Sequence, residues 1–202
     1  MSVMMDAPEL KKCLRRDFAA KRRALSAEYR LEADRKIVSR IESLPEYRAA
    51  KIVGSFVAFG AEPDLSALAG KRLFLPRFDQ SKNEYSMVEI RNIGRDLLPG
   101  RYGIPEPDPS LCEATPQEYR EMFFLVPAVA CDRKGIRLGR GCGYYDRLLR
   151  NATNTTAVVY SCQLAGFDLP SEAWDRPMMR VVTENETVVI TPEMIRQSER
   201  KK

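Results

Sequence analysis

The sequence predicts an α/β fold, and three observations carry that expectation. Short apolar runs, the most apolar being Phe123-Phe124-Leu125-Val126, have the length of strands and the composition of strands buried on both faces. Stretches with apolar residues near helical spacing alternate with these runs, the pattern of α/β proteins. The residues best suited to binding follow directly on the apolar runs, at strand ends where open α/β sheets place their ligands.

Residues 8–25 read as a first helix. Pro8 suits its first turn, and Leu10, Leu14, Phe18 and Leu25 recur near helical spacing. Lys11 and Arg15 are four apart and share a face, which by itself reads as an exposed basic face. Ser26 is a candidate N-cap for a second helix, with Glu28 in its first turn. Ile37, Ile41 and Leu44 line that helix's apolar side, and Pro45 ends it. Residues 51–58 are nearly all apolar and predict a strand. Phe59-Gly60-Ala61-Glu62-Pro63-Asp64 follows as a strand-end loop, in which Asp64 is a candidate cap for a helix over 65–69 and Glu62 has no such local duty.

Residues 72–78 predict a second strand ended by proline, and Tyr85 to Ile90 an edge strand. Residues 91–121 are rich in Pro and Gly with no sustained period and read as one long excursion over the sheet. Within it Tyr102 to Pro107 runs extended, because each residue before a proline is pushed away from helix. Phe123 to Val126 is the central strand, Asp132 to Gly143 a loop and Tyr144 to Leu149 a short helix. Thr155 to Tyr160, Val181 to Thr183 and Thr187 to Ile190 complete the strands, Ser161 to Leu164 is a strand-end loop, and residues 192–202 read as a charged terminal helix.

At 202 residues the chain is one large domain or two small ones, long enough to bury a core without staples. A hydrophobic fraction of 44% and a charged fraction of 30% belong to a soluble globular protein. No apolar run approaches the roughly 20 residues that span a bilayer, and the start, Met1-Ser2-Val3-Met4-Met5-Asp6, lacks the charged head and apolar core of a signal peptide. The five cysteines form no C-x-x-C pair, which argues for reduced thiols in the cytoplasm. The chain contains no histidine, which removes the commonest general base, the commonest metal ligand and every Ser-His or Cys-His nucleophile system. The net charge of +5 sits in residues 1–51, which hold 13 Lys and Arg against 8 Asp and Glu. Acids are interspersed there and no aromatic platform accompanies them, so a solvated helix face is favoured over nucleic-acid binding.

The densest concentration of binding chemistry is Gly135 to Arg147, G-I-R-L-G-R-G-C-G-Y-Y-D-R. Gly135, Gly139, Gly141 and Gly143 allow positive φ and close approach of backbone to a ligand. Exposed N–H groups at a turn and a helix start bind anions, Arg137 and Arg140 add forked donors suited to phosphate, and Asp146 can hold magnesium or its water shell. The stretch is not a dinucleotide fingerprint, since Tyr144 stands at the third glycine position, and no Gly-Lys-Ser/Thr follows to make a Walker A loop. These residues point to a phosphorylated ligand and something flat; a tight strand-to-helix turn without a ligand stays open as the plain alternative.

Arg137-Leu138-Gly139-Arg140-Gly141-Cys142-Gly143-Tyr144-Tyr145-Asp146-Arg147 resembles the R-L-G-x-G-x-G-Y-Y-D signature of the 5-formyltetrahydrofolate cyclo-ligases, also called methenyltetrahydrofolate synthetases. Val126 to Asp132 resembles the family's V-P-G-x-A-F-D. Lys11-Lys12-Cys13-Leu14-Arg15, Gly60 to Asp64 and Tyr102-Gly103-Ile104-Pro105-Glu106-Pro107 agree with further blocks in the family's order. The resemblance covers about residues 9 to 190 and implies a single domain over 1–202, three layers deep, with a mixed, mostly parallel sheet.

The same resemblance implies the activity and its residues. ATP, with Mg²⁺, drives cyclisation of 5-formyltetrahydrofolate to 5,10-methenyltetrahydrofolate. Lys11, Lys12, Cys13, Leu14 and Arg15, with Arg137 through Tyr145, are implied in ATP binding. Arg140 and Tyr144 are implied at the reacting formyl end, Val57, Glu62 and Tyr102 on the pterin side, and Asp146 with Asp175 around magnesium. Asp175 by itself also reads as the start of a turn before Pro177. The implied partners are small molecules, a reduced folate with or without a polyglutamate tail and ATP, and not a membrane. Cys142 departs from the family, which often has glycine or lysine there. A non-catalytic paralogue, an RNA-associated module and another enzyme on a similar sheet are the alternatives.

Overall fold

The computed structural model of the chain describes residues 6–172 and 175–191, with Tyr102 in backbone only. Its helices are α1 (Ala7–Arg23), α2 (Ala27–Ser43), α3 (Pro45–Ala49), α4 (Ile93–Asp96), α5 (Pro116–Glu121) and α6 (Tyr144–Leu148). The strands are β1 (Ile52–Gly54), β2 (Arg72–Asp79), β3 (Glu84–Ile90), β4 (Leu97–Pro99), β5 (Pro105–Pro107), β6 (Phe123–Pro127), β7 (Ala130–Asp132), β8 (Arg137–Leu138), β9 (Thr155–Val158), β10 (Leu164–Ala165), β11 (Arg180–Val182) and β12 (Thr187–Val189). The expected terminal helix over 192–202 lies outside the described residues, among which no helix is long and apolar enough to cross a membrane.

Helix starts follow side-chain chemistry. Asp6 accepts from the Glu9 N–H to cap α1, and Ser26 accepts from the Tyr29 N–H to cap α2. Pro45 both ends α2 and occupies the first turn of α3, where its missing N–H costs nothing. In α5 Thr115 and Glu118 cap each other's backbone groups reciprocally.

Seven strands form the main sheet in the order β12-β11-β9-β6-β1-β2-β3. The five inner strands are parallel to their neighbours, and β12 and β3 add antiparallel edges. Strand β6 takes the central place that its apolar composition predicts. Phe123 and Leu125 pack in one core cluster with Ile37 and Ile41 of α2 and Tyr47 of α3, while Phe124 and Val126 pack in the other with Leu148 of α6 and, at its margin, Tyr119 of α5. Alternate residues therefore enter opposite layers, the strand period of two applied to a sheet covered on both faces. The fold is α/β with a mostly parallel sheet, as expected.

Helix α1 lies elsewhere. Its Phe18 joins Val129, Ala130, Ile136, Leu138, Ala165 and Leu169 in a third cluster over a small sheet, β10-β7-β8, that projects beyond the end of β6.

Four local expectations differ from the structure. Strand β1 stops at Gly54: the Ser55 N–H still donates to Phe74 O, and the chain then leaves the sheet. The helix expected over 65–69 does not form. Asp64 Oδ1 accepts the Ser66 N–H in a short turn, Leu65 goes into the core, and Gly70 follows at φ +78°. Pro76 sits inside β2 rather than ending it; it lies beyond the last β1 partner, Phe74, so its missing N–H removes no bond to β1. The 91–121 excursion contains α4, the β4-β5 pair, a 3₁₀ turn over Arg101–Gly103 and α5.

Leu125 is fully buried on the central strand, so Leu125→Ala should lower the unfolding free energy by about 2–5 kcal/mol, read as a lower urea midpoint at unchanged slope.

Candidate active site

The site is built where β6 ends. Strands β7 and β8 pair antiparallel there, and the turn joining them is held by Asp132. Its Oδ1 accepts the N–H groups of Lys134 and Ile136, and its Oδ2 accepts that of Leu169. Burial pushes this carboxyl above the usual range, against the pull of its three donors. Gly135 takes φ +82° in the same turn, and a Cβ there would lie 2.4 Å from Met178 O. Beyond β8 the chain runs through Gly139, Gly141 and Gly143 into α6, with Gly143 left-handed at φ +66°.

Helix α1 carries Lys11, Arg15 and Arg22 near one face, since their spacings are four and seven, and Arg15 reaches this loop. Arg15 Nε donates to Gly139 O at 2.8 Å, and a Cβ at Gly141 would stand 3.5 Å from the Arg15 guanidinium carbon. Lys11 is only 7% exposed. Its Nζ donates to Glu172 Oε2 at 2.7 Å and to Asp175 Oδ2 at 3.0 Å. Burial disfavours its charge, but the hydrogen bonds to Glu172 and Asp175 outweigh it and hold the ammonium above its ordinary pKa. The basic face of α1 is thus partly interior, not the solvated surface that charge alone suggests.

Two more pairs complete the arrangement. Arg137, buried, donates through Nη2 to Asp146 Oδ1 at 2.5 Å and lies 5.7 Å from the Tyr145 ring centre. Arg140 Nη2 donates to Glu62 Oε1 at 2.6 Å and stacks 4.6 Å over the Phe59 ring. The other Glu62 oxygen accepts the Phe59 N–H at 3.1 Å. Glu62 therefore does have a local duty, contrary to its reading in the sequence: it ties its own loop and pairs with the glycine-rich one. Arg22 Nη1 stands 3.7 Å from Glu62 Oε1, the oxygen that Arg140 holds.

Tyr144 is fixed by aromatic packing. Phe78, Tyr85 and Tyr144 meet edge to face with centres 5.1–5.3 Å apart, and Arg147 lies 5.0 Å over Tyr144. Burial drives the Tyr145 hydroxyl pKa well up.

Other expected site residues fall at its edges. Leu14 packs against the α1 core cluster and Leu138 is inside it; Lys12 and Cys142 are exposed, and Cys13 and Val57 are half-buried. The Tyr102 side chain lies outside the described residues. Asp146 and Asp175, expected together around a metal, each face a separate cation, Arg137 and Lys11. Among the described residues no cluster of three or more carboxylate, thiol or imidazole groups stands ready for a metal. Sequence reasoning passed over Arg22, Phe59, Phe78 and Glu172; of these Arg22 carried a signal, its place on the Lys11–Arg15 face.

The arrangement is a set of exchangeable ion pairs. An anion can take Lys11 and Arg137, and the carboxylates so released can take a cation. The glycine turn on which the set rests supplies its own test. Gly135→Ala adds a Cβ at a positive φ against Met178 O, at about 2 kcal/mol or more. The thermal midpoint should fall by roughly 2–4 °C per kcal/mol in a melting scan.

Residues 7–184 match the model of the 5-formyltetrahydrofolate cyclo-ligase family. The 5-formyltetrahydrofolate cyclo-ligase of Escherichia coli K12 is 32% identical over 173 residues, covering 81% of this chain and 94% of that one. A solved structure of 5,10-methenyltetrahydrofolate synthetase from Aquifex aeolicus superposes with a TM-score of 0.79 at 36% identity, covering 90% and 93% of the two chains. That of the Mycoplasma pneumoniae synthetase, at 21% identity and a TM-score of 0.67 over 86% of this chain and 98% of that one, shows the same fold. The glycine-rich loop, its arginines and the match along nearly the whole chain agree: this chain belongs to the 5-formyltetrahydrofolate cyclo-ligase family, enzymes whose substrates are small molecules of folate metabolism.

Proposed function

We propose that this chain, as one domain over residues 1–202, catalyses the ATP- and Mg²⁺-dependent cyclisation of 5-formyltetrahydrofolate to 5,10-methenyltetrahydrofolate, releasing ADP and phosphate. The observation that carries the reading is the gathering of Arg15, Arg137 and Arg140 at one glycine-rich loop, with Lys11 one helical turn from Arg15, and Lys11, Arg137 and Arg140 each held by a carboxylate. Such cations are ready for an anionic ligand that displaces their present partners.

The formyl oxygen attacks the γ-phosphorus as the bond to ADP breaks. Nitrogen 10 then adds to the activated formyl carbon and gives up its proton, and phosphate leaves with the former formyl oxygen. No protein nucleophile is required, which suits a chain without histidine. Lys11, Arg15, Arg137 and the N–H groups of Gly139 to Gly143 bind the phosphates, with Lys12, Cys13, Leu14, Leu138 and Tyr145 beside them. Arg140 and Tyr144 meet the formyl end; Val57, Glu62 and Tyr102 hold the pterin side.

Asp146 and Asp175 offer hard oxygen donors, and two carboxylates suffice for an ion that keeps waters and substrate oxygens. They would hold Mg²⁺, which when bound spreads the charge of the γ-phosphoryl group. The reading puts the enzyme in the cytoplasm, and all five of its cysteines are free thiols.

Purified protein with 5-formyltetrahydrofolate and MgATP should develop the near-UV absorbance of the methenyl product, and omission of ATP or Mg²⁺ should abolish it. Asp146→Ala should lower turnover by about 10²-fold or more. Lys11→Ala should raise the KM for ATP about 10–100-fold, the worth of one charged hydrogen bond. Absence of turnover with folate or ATP still bound would identify a non-catalytic paralogue, and absence of both turnover and binding would overturn the reading.

A further inference from the structure

We propose that Arg22 is a positioning residue for folate recognition: it holds the Glu62 carboxylate in place when Arg140 leaves it for the reacting end of the substrates. The proposal rests on the function proposed above and adds to it a residue with no part in that scheme.

Two arginines converge on one oxygen of Glu62, and they are not alike. Arg140 makes the short contact, 2.6 Å, from a loop flanked by Gly139 and Gly141, and its side chain is 46% exposed. Arg22 stands at 3.7 Å, on the last turn of α1, with its side chain 10% exposed. The glycine-flanked, half-exposed arginine is free to move; the buried one, carried by a seventeen-residue helix packed on the β7-β8 sheet, is not.

Arg22 is also thinly satisfied where it stands. Its Nε is buried with no hydrogen-bond partner. Its Nη1 reaches Ala128 O at 3.5 Å, an oxygen already taken by Gln163 Nε2 at 2.9 Å. A guanidinium has five donors, and leaving them idle in the interior is unfavourable. Burial works against the Arg22 charge, Glu62 supports it and Arg140 opposes it. Departure of Arg140 therefore removes a repulsion and frees the Glu62 oxygen that Arg22 faces, and a shift of under 1 Å closes 3.7 Å to a direct hydrogen bond. Without Arg22 the same departure would strand Glu62, 7% exposed, with no cation beside it. The geometry thus divides the labour: Arg140 is the transferable partner of Glu62 and Arg22 the permanent one.

The test uses full-length protein, 5-formyltetrahydrofolate and MgATP, with each substrate varied at saturation of the other. Arg22→Gln should raise the KM for 5-formyltetrahydrofolate about tenfold or more, the loss of one charge-assisted bond, and leave the KM for ATP and the thermal midpoint near wild type. Midpoints should hold because Arg140 still pairs with Glu62 in the free protein. Arg22→Lys should restore most of the folate KM. In an Arg140→Ala background Arg22→Gln should lower the thermal midpoint, as it does not in the wild type, because Glu62 then has neither cation in the free protein; an unchanged midpoint there overturns the proposal. Should Arg22→Gln fail to fold, the lysine variant decides: a folate KM near wild type supports the proposal, and one raised about tenfold or more with a cation still at that position overturns it. Equal effects of Arg22→Gln on both KM values, or an unchanged folate KM, also overturn it. Wild-type protein that neither binds nor turns over 5-formyltetrahydrofolate overturns the underlying reading together with it.

Discussion

The burial of strand β6 on both faces is the constraint from which the rest of the molecule follows. Phe123 to Val126 send alternate side chains into two helical layers, and a parallel strand so covered must be reached through crossovers that return the chain across the sheet. Each crossover begins at a carboxyl end. The end of β1 delivers the Phe59–Glu62 loop and the adjacent end of β6 delivers β7, β8 and the glycine-rich stretch. Glu62 and Arg140, 78 residues apart, meet because β1 and β6 are neighbours in the sheet.

Helix α1 is the second element of that logic. It is not a layer of the main sheet but a wall of the site, fixed by Phe18 against Val129, Ile136 and Leu138. Its apolar stripe is narrow, and the same packing draws Lys11 and Arg22 out of water. Cations in that position need partners. Glu172, Asp175 and Glu62 answer from the connection before β11 and the loop after β1.

The site is in this sense neutralised by its own carboxylates. Arg137 with Asp146, Lys11 with Asp175 and Glu172, and Arg140 with Glu62 are ion pairs wholly or partly shielded from water. A ligand carrying only negative charge would strand the acids. One that brings phosphate and a divalent cation together exchanges both halves of each pair, and that balance makes a magnesium nucleotide chemically apt for this arrangement.

Sequence alone determined the local structure and the chemical inventory. The caps of α1 and α2, the centrality of β6, the α/β class and the glycine-rich loop are written in nearest-neighbour chemistry: an Asp or Ser before an amphipathic run, four consecutive apolar residues, a glycine where φ is positive. The α5 capping box at Thr115 and Glu118 is equally local, though it stands in a proline-rich stretch without helical period. The extra strand expected beyond Gly54, the helix over 65–69 and the strand end at Pro76 were decided otherwise, by where the neighbouring strands and the core happen to lie. Charge partners belong to the same class of decision. Lys11 pairs with Asp175 across 164 residues and Arg22 with Glu62 across 40, and no periodicity links such positions. Composition names the arginines and the acids; only the tertiary structure, by burying some and exposing others, decides which carboxylate each one faces and which of them is free to let go.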